Sequence, residues 1–411
     1  MSSYQHFYVE GGGALNELAQ RWNTLWQRSY ARQPTARAKG IANWLRHFSQ
    51  DHQFSALCVE DDGHLIAALP LVADRLSTVY PVYRLPVNSW ANTGDFLVDR
   101  ETNLRDVVSA VVDGLQAIAP SLLCFEEITL GAPQWIALQS AIRNRGGRTF
   151  CKRQSPVAVI DILGDWDSYQ QSWSANHRGA VKRSYRKLTK QGELRTERCQ
   201  QPGVHLEQML RTAFAIEDRS WKGEAGTSVL RTPGVLDYML DEAEAVARSG
   251  HVDLWLLYLE DRPIAFEYCH FAKGTCFSHK IGYDPALSKH GPGRLLRYLQ
   301  LQEYHHQGDC RLLDTLGTLC QSKAKWATRS YNVGELYASV GSSTCNALLD
   351  GYAWATKSYR RWRGSTSAEV PKLGATSYLD TVTIETPTAN IDGAVNPDGF
   401  ATQTGQISSL K

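Results

Sequence analysis

Cys276-Phe-Ser-His-Lys-Ile-Gly-Tyr283 is an apolar run that leads to a glycine-rich segment, Lys289-His-Gly-Pro-Gly293, before a helical pattern over Leu295–His306. These patterns predict a strand, a turn and a helix, with a further strand over Arg311–Leu316. Glycines let a ligand approach the backbone, and the free N–H groups of a helix start favour an anion such as phosphate. Arg294 adds positive charge there. The segment is therefore either an anion site or a simple turn before a helix.

Two hairpins with similar turns lie upstream. Val252–Leu259 and Ile264–Phe271 flank Glu260-Asp-Arg-Pro263, and Phe54–Val59 and Leu65–Val72 flank Glu60-Asp-Asp-Gly63. Two apolar runs across such a turn predict a hairpin. Both hairpins have Glu-Asp at the turn and Ile-Ala in the return strand, which indicates an internal duplication. Strands mixed with helices in both halves predict a mixed α/β (α+β) fold.

The domain organisation follows from length and composition. The chain has 411 residues, of which 43% are hydrophobic and 21% charged, as in ordinary globular proteins. We expect an N-terminal domain over residues 1–164, a C-terminal domain over 165–365 and a polar tail over 366–411. The tail is rich in Ser, Thr, Gly, Pro and Asn and has too little apolar surface to fold alone.

Charge and cysteine content exclude several classes of protein. A net charge of +2 argues against a general nucleic-acid coat protein, and the longest apolar runs are too short for a transmembrane helix. The start, Met1–Tyr8, lacks the pattern of a secretory signal, so we expect a cytoplasmic protein. Nine scattered cysteines without a CxxC pair indicate reduced thiols and no metal site.

Three segments resemble the GNAT superfamily of acyltransferases, and in particular its cellulose-biosynthesis-associated (CelD/BcsL-like) branch. They are Ser174–Arg178 with Lys182-Arg183, Leu188 and Gly192; Glu217–Gly223 with Gly226-Thr227; and Lys280–Asp284 leading to Gly291-Pro-Gly293, Asp314 and Trp326. The resemblance implies two tandem GNAT-like domains, in an arrangement similar to the Fem-type aminoacyl transferases of cell-wall synthesis. It departs at Ser288, where the common turn of the family has Arg or Gln.

The resemblance also implies a set of site residues, with acyl-CoA as co-substrate. The acyl-CoA site would include Lys289, His290, Gly291, Gly293 and Arg294. The acceptor site would include Arg178, Glu217, Trp221, Lys222, Thr227, Lys280, Asp284 and Trp326. Without the resemblance, Lys222 could equally be a lysine at the negative pole of a helix.

The reaction of this superfamily needs a carboxylate base for an amine and an acid for the leaving thiolate. Glu267 lies in the apolar run of the second hairpin, where burial would raise its pKa, unless it faces solvent. Asp314 also lies in an apolar run, at the end of a strand, where burial would likewise raise its pKa. Tyr283 follows a strand and could protonate the thiolate, or else pack with its hydroxyl in water.

A basic segment is the largest charge feature of the sequence. Eight basic residues lie between Arg178 and Arg198, and Arg178, Lys182 and Arg186 share one face of a helix at four-residue steps. The segment either binds a phosphate-bearing partner, such as CoA, a nucleotide-sugar, a lipid phosphate or tRNA, or is a solvated face.

The predicted function is transfer of an acyl group from acyl-CoA to an amine, or a hydroxyl, of a sugar or small metabolite. The resemblance implies polysaccharide or cell-envelope biosynthesis, with proteins of that process as partners. Two alternatives remain open. One is a Fem-like transferase that uses aminoacyl-tRNA, and the other is a non-catalytic GNAT-like subunit of a polysaccharide synthase.

Overall fold

The structure, a computed structural model, describes residues 4–49, 53–76, 80–118, 122–363 and 403–406. The strands are β1 (Gln5–Glu10), β2 (Phe54–Asp61), β3 (His64–Leu76), β4 (Tyr80–Arg84), β5 (Leu97–Val98), β6 (Leu122–Thr129), β7 (Arg148–Asp161), β8 (Leu194–Cys199), β9 (Val252–Leu259), β10 (Arg262–Ala272), β11 (Thr275–Tyr283), β12 (Leu312–Thr318), β13 (Arg329–Ser339) and β14 (Gln403–Gln406). The predicted mixed α/β class is confirmed.

Thirteen α-helices accompany these strands in the described residues. They are α1 (Gly11–Glu17), α2 (Ala19–Arg28), α3 (Ala38–Phe48), α4 (Leu104–Ala117), α5 (Pro133–Asn144), α6 (Trp166–Ser172), α7 (Ala175–Thr189), α8 (Val204–Asp218), α9 (Trp221–Glu224), α10 (Val235–Arg248), α11 (Pro292–Gln307), α12 (Gln321–Ala324) and α13 (Ser343–Arg363). Helical 3₁₀ turns cover Pro34–Ala36 and Pro285–His290. Among the helices described, none is long and apolar enough to cross a membrane.

The chain divides into two compact units. Among the described residues, the first contains those of 4–157 and 330–363, and the second contains 158–329 and 403–406. The division falls within β7, and the expected boundary at residue 164 stays a prediction. Residues 330–363, which we assigned to the second domain, cluster with the first unit. The expected tail lies outside the described residues except for β14, which pairs antiparallel with β8.

Each unit orders its strands in the same way. In the first, β1, β2, β3 and β4 are antiparallel neighbours and β6 adds in parallel to β4. In the second, β8, β9, β10 and β11 are antiparallel neighbours and β12 adds in parallel to β11. A helix precedes the parallel strand in both, α4 in the first unit and α11 in the second. The duplication predicted from the two Glu-Asp hairpins, which are β2–β3 and β9–β10, is therefore present in the topology.

Two pairs of helices follow each other closely in the chain. α6 ends at Ser172, and α7 starts after Ser174, whose hydroxyl accepts the His177 N–H at 3.2 Å. α1 and α2 are likewise separated only by Leu18. Breaks of one or two residues such as these are hard to recognise from apolar spacing alone.

The core of the second unit has an aromatic and an aliphatic part. Trp166, Tyr169, Trp173, Tyr298 and Tyr304 pack with one another, many of them edge to face. The aliphatic part lies between β9, β10 and the first turns of α11. Burial of this kind fixes α11 against the sheet, and α11 positions the site described next.

Candidate active site

The candidate site begins where β11 and β12 part. The two parallel strands pair over three residues each, Thr275–Phe277 with Leu312–Asp314. β11 then continues to Tyr283 and β12 to Thr318. Since the ladder between them ends at Phe277 and Asp314, the peptide groups beyond this point no longer bond across the pair. We call this region, where the two strands present backbone donors and acceptors that no longer bond to each other, the cleft.

Two apolar side chains of β11 are unusually open for this position. Ile281 is 50% exposed and Tyr283 is 46% exposed, although β10 pairs with their strand on its other edge. A β-carbon placed on Gly293 would lie 3.4 Å from Cδ1 of Tyr283, so this ring lies beside the first turn of α11. Exposed apolar side chains inside a sheet are typical of a ligand groove.

The glycine-rich turn leads directly into α11. Gly291 is the N-cap residue, with φ of 69° and ψ of 50°, and Pro292 occupies the first turn. A β-carbon on Gly291 would lie 2.6 Å from the Ser184 hydroxyl of α7. Glycine is therefore required here both by the left-handed backbone and by the close approach of α7. The first N–H groups of this 16-residue helix point out of its start, where an anion is favoured.

The five residues predicted to bind acyl-CoA gather around this helix start. Arg294 is exposed, and its guanidinium donates to the Ser184 hydroxyl at 3.1 Å. Lys289 is exposed, while the His290 ring lies 3.2 Å from the Gln191 amide nitrogen. The structure thus brings two cations and the two glycines together at one helix end, and their role in donor binding stays a prediction.

Glu267 is held by a cation that the sequence reasoning did not identify. It lies buried on β10, and Arg297 of α11 bonds both of its oxygens, at 2.6 Å to Oε1 and 3.0 Å to Oε2. The same guanidinium donates to the Ser278 hydroxyl of β11 at 3.1 Å. Although burial lowers the pKa of Arg297, the Glu267 carboxylate raises it overall. Glu267 therefore belongs to a buried ion pair between sheet and helix.

Asp314 lies at the point where the two strands part. Its carboxylate accepts the Leu316 N–H at 2.9 Å, and Leu316 itself has a φ of 50°. Lys323 lies close to it, with Nζ 3.4 Å from the Thr315 carbonyl oxygen, and burial lowers the pKa of this lysine. Leu313 packs into the core with residues of α11, so side-chain alternation directs Asp314 to the opposite face of the sheet from Glu267.

A second polar group lies on the α8 side of the sheet. The buried Glu217 carboxylate at the end of α8 accepts from Lys222 Nζ at 2.6 Å and from the Val229 N–H at 3.1 Å. Lys280 of β11 lies nearby. Burial lowers the pKa of Lys280, while Glu217 acts to raise it and Lys222 to lower it. Three of the residues predicted for the acceptor site are therefore brought together.

The other predicted acceptor residues have different surroundings. Trp221 is 68% exposed beside Lys222, and Thr227 bonds the Lys222 carbonyl oxygen through its backbone N–H at 2.8 Å. Asp284 is buried, caps the following 3₁₀ turn and pairs with Arg262. Trp326 packs on Trp173 with ring centres 5.0 Å apart. Asp284 and Trp326 are thus engaged in scaffold contacts.

The basic segment is divided between α7 and β8. Arg178 donates to the carbonyl oxygens of Gln171 and Trp173, and so closes the end of α6. Arg195 and Arg198 lie on β8, and Arg198 forms a buried ion pair with Asp253 at 2.7 Å. The exposed basic residues of α7 and the segment after it are Lys182, Arg183, Arg186, Lys187 and Lys190. Only this shorter group forms a basic surface.

Sequence reasoning also missed a buried cluster on the α10 side of the sheet and predicted no metal site. Glu242, His270 and His279 come together there, with ligand atoms all within 4.8 Å of one another. Although burial acts to raise the pKa of Glu242, His279 and His270 hold it well below its usual range. Burial lowers the pKa of His279. The three residues are too far apart in the sequence to show a spacing pattern.

Comparison with known proteins gives a match in the region that contains this site. Residues 175–324 match the family model described as an acetyltransferase (GNAT) domain. No curated protein matches the chain significantly. The matched region contains β11, the glycine turn, α11 and β12, which are the elements that form the cleft.

Among solved structures, FemX is similar in fold. It has 11% sequence identity and a TM-score of 0.54, covering 78% of this chain and 95% of that one. The C-terminal domain of a putative lysylphosphatidylglycerol synthetase from Agrobacterium fabrum has 14% identity and a TM-score of 0.48, covering 82% and 96%. A tandem GNAT protein of the clavulanic acid pathway has 13% identity and a TM-score of 0.45, covering 82% and 100%.

Proposed function

We propose that this chain, whose residues 175–324 match the acetyltransferase (GNAT) family model, transfers an acyl group from acyl-CoA to an amine, or less readily a hydroxyl, of a sugar or small metabolite. The observation that carries this proposal is the parting of β11 and β12 beside the glycine start of α11. A cleft edged by peptide groups, with an anion site at its end, suits a long donor that combines amides with phosphates.

The donor would lie along the cleft in a defined direction. Its pyrophosphate would meet the N–H groups after Gly291, with Lys289 and Arg294 supplying positive charge. Its amide-bearing arm would bond the free edges of β11 and β12. The exposed side chains of Ile281 and Tyr283 would cover the apolar part of this arm. This direction brings the thioester toward the point where the strands part.

Asp314 is proposed as the base, and Tyr283, predicted as the acid, as a residue that contacts the donor instead. Asp314 lies at the apex of the cleft, where the amine would lose its proton before attacking the thioester carbonyl carbon. The C–S bond then breaks, and the proton that Asp314 has accepted from the amine would pass to the departing thiolate. Tyr283 lies beside the start of α11, at the pyrophosphate end of the donor. Glu267 receives a different role, because Arg297 already bonds both of its oxygens. We propose that Glu267 positions Arg297 beneath the cleft.

The acceptor would approach from the α8 side. Glu217, Lys222 and Lys280 provide charge there, and the exposed ring of Trp221 offers a face on which a sugar ring could stack. Thr227 supports the Lys222 loop through its backbone. Polysaccharide or cell-envelope biosynthesis in the cytoplasm, of the CelD/BcsL-like type, is the process that we propose for this acceptor.

The exposed basic surface of α7 favours a second candidate, a transferase that takes its acyl group from aminoacyl-tRNA. Lys182, Arg183 and Arg186 would bind the RNA backbone, and the affinity would then fall steeply with salt. A third candidate, a non-catalytic subunit, rests on Ser288 at the start of the turn.

Two substitutions distinguish these candidates. Arg294→Gln removes charge at the start of α11, and Arg186→Gln removes charge from the exposed face of α7. If acyl-CoA is the donor, Arg294→Gln weakens CoA binding in calorimetry about tenfold and Arg186→Gln leaves it unchanged. Salt-sensitive tRNA binding that Arg186→Gln weakens, without CoA binding, supports the second candidate. Acylated amino-sugar products, detected by mass spectrometry, exclude the non-catalytic subunit.

A further inference from the structure

Three side chains converge on the α10 side of the sheet in the second unit. Glu242 comes from α10, His270 from β10 and His279 from β11, and none of them belongs to the proposed donor or acceptor contacts. Nε2 of each imidazole lies 3.4 Å from Oε2 of Glu242. The first two side chains are 2% and 1% exposed, and that of His279 is 12% exposed. They form a compact, dry group of nitrogen and oxygen donors.

His279 lies at a β-bulge of β11. Tyr268 pairs with Lys280 and Cys269 pairs with Ser278, so His279 is an extra residue that has no partner in the register. The Ser278 hydroxyl faces Arg297 of α11, so alternation along β11 places His279 on the opposite face of the sheet, together with His270. The two imidazole rings stack with centres 4.8 Å apart.

The distances between the donors match those of a metal site. Tetrahedral Zn²⁺ with bonds of about 2.0–2.1 Å requires ligand atoms about 3.3–3.4 Å from one another. Both imidazole nitrogens lie 3.4 Å from Glu242 Oε2. The Tyr268 hydroxyl lies 3.4 Å from the same oxygen and 3.1 Å from His270 Nε2. Four of the six edges of a tetrahedron are therefore close to the expected length.

Hydrogen bonding inside the protein leaves one atom of this group unsatisfied. Within the described residues, the buried His279 Nε2, which faces Glu242 Oε2, meets no partner with hydrogen-bond geometry. Buried polar atoms are rarely left so. The other carboxylate oxygen, Oε1, accepts from the Tyr238 hydroxyl at 2.8 Å. That bond orients the carboxylate and leaves Oε2 directed at the two imidazoles, as an outer hydrogen bond orients a metal ligand.

We propose that Glu242, His270 and His279 bind a divalent transition metal of the Zn²⁺ class, with the Tyr268 hydroxyl at the fourth corner. Two imidazoles with two oxygens suit Zn²⁺, whereas Ca²⁺ and Mg²⁺ require more oxygen ligands. All four corners are protein atoms in a buried setting, so the site is closed and structural. The metal ties α10 to β10 and fixes the bulge at His279, directly beside Lys280.

The full-length protein provides the test. We expect purified protein, stripped with a chelator and reloaded with Zn²⁺, to retain about one Zn²⁺ per chain by elemental analysis. Co²⁺ in its place would give the visible d–d bands of a tetrahedral site. His279→Ala and the isosteric Glu242→Gln would each weaken Zn²⁺ affinity at least about tenfold. Added Zn²⁺ would raise the melting temperature of the wild type more than that of either variant.

Two control variants separate this site from adventitious binding. His205→Ala removes an exposed histidine and Cys320→Ser removes the exposed thiol, and both should keep the wild-type affinity. The proposal is wrong if stripped wild type retains no Zn²⁺ and gives no tetrahedral Co²⁺ spectrum. It is equally wrong if Cys320→Ser abolishes binding, or if His279→Ala and Glu242→Gln fold and bind as the wild type does. The wild-type measurements decide the question even where a variant fails to fold. CoA binding is measured separately, so failure here leaves the proposed acyl transfer unaffected.

Discussion

Arg297 of α11 and Glu267 of β10 form a buried ion pair with two contacts, Nη2 to Oε1 at 2.6 Å and Nε to Oε2 at 3.0 Å. The pair joins the helix that starts at the glycine turn to the strand beside β11. Because a guanidinium bonds both oxygens, the carboxylate is a poor candidate for accepting a proton from an amine. The pair instead holds the floor of the cleft in place.

Removing the charge of Glu267 should destabilise the protein. Glu267→Gln leaves the Arg297 guanidinium buried without its counter-charge, and we expect a loss of roughly 3–5 kcal/mol in the free energy of unfolding. Urea denaturation measures this loss. The matched control is Glu207→Gln, which removes the partner of Arg211 from an exposed pair on α8 and should cost about 0.5 kcal/mol or less. Equal stability losses for the two variants would contradict the buried pair.

Gly291 should tolerate no side chain. In Gly291→Ala, the alanine would have to keep the left-handed backbone of Gly291. Its β-carbon would lie 2.6 Å from the Ser184 hydroxyl, beside the proposed anion site. We expect a loss of stability of about 1–2 kcal/mol from the backbone alone, and a fall in kcat/KM for acyl-CoA of at least about tenfold.

Gly308 at the other end of α11 provides the control. It also has a positive φ, of 73°, but an added β-carbon would contact nothing within 4 Å. Gly308→Ala should therefore lower the stability of the protein, because alanine must adopt a left-handed backbone there, but it should not weaken acyl-CoA binding. If both variants lower acyl-CoA affinity equally, the effect of Gly291 is one of helix stability and the donor does not approach this turn.

The sequence was sufficient to predict local elements such as hairpins. It was insufficient to predict which distant residues and strands contact one another. The apolar runs around Glu260 and Glu60 predicted both hairpins, since each run and turn is a local pattern. β1 and β8, by contrast, are short and largely polar, and they form because an edge of the sheet is available to them. Pairing of this kind depends on residues far away in the sequence, so a short window of sequence does not predict it.

The contacts within the candidate site were equally hard to predict from the sequence. Glu267 was identified by its place in an apolar run, but its partner Arg297 lies 30 residues away. The pairing depends on how α11 packs on the sheet. His279 joins Glu242 and His270 at a bulge between Tyr268 and Cys269, which shifts the register by one residue. Neither strand shows this shift of register in its own sequence.

Cys320 should be the fast-reacting thiol of the native protein. It is the exposed one among the nine cysteines, seven of the others are buried, and Cys151 is partly buried. Although burial acts to raise the pKa of Cys320, the Ser322 hydroxyl and backbone N–H groups lower it overall. We expect one rapidly modified thiol per chain with a small alkylating reagent, located by peptide mass spectrometry. Cys320→Ser should abolish this phase, and rapid labelling of a buried cysteine would contradict the structure.

His177 should make stability fall in mild acid. Its ring lies between Trp173 and Trp326, at 4.9 Å and 4.4 Å between ring centres, and within the described residues neither nitrogen has a hydrogen-bond partner. Burial, with Arg294 of α11 and Lys325 after α12 as nearby cations, lowers the pKa of His177 to about 4. The unfolded chain, with a histidine pKa of about 6.5, therefore binds a proton between these two values that the folded chain does not.

Stability contributed by His177 is thus complete above pH 6.5 and is lost as the pH falls toward 4, by about 3 kcal/mol in all. His177→Phe retains a ring between the two tryptophans and cannot bind a proton. Urea denaturation of both proteins across this range should show the wild type losing stability relative to the variant by that amount. A constant difference between the two proteins from pH 7 to pH 4 would mean that the imidazole titrates normally in the fold, and hence that the ring is not enclosed between Trp173 and Trp326.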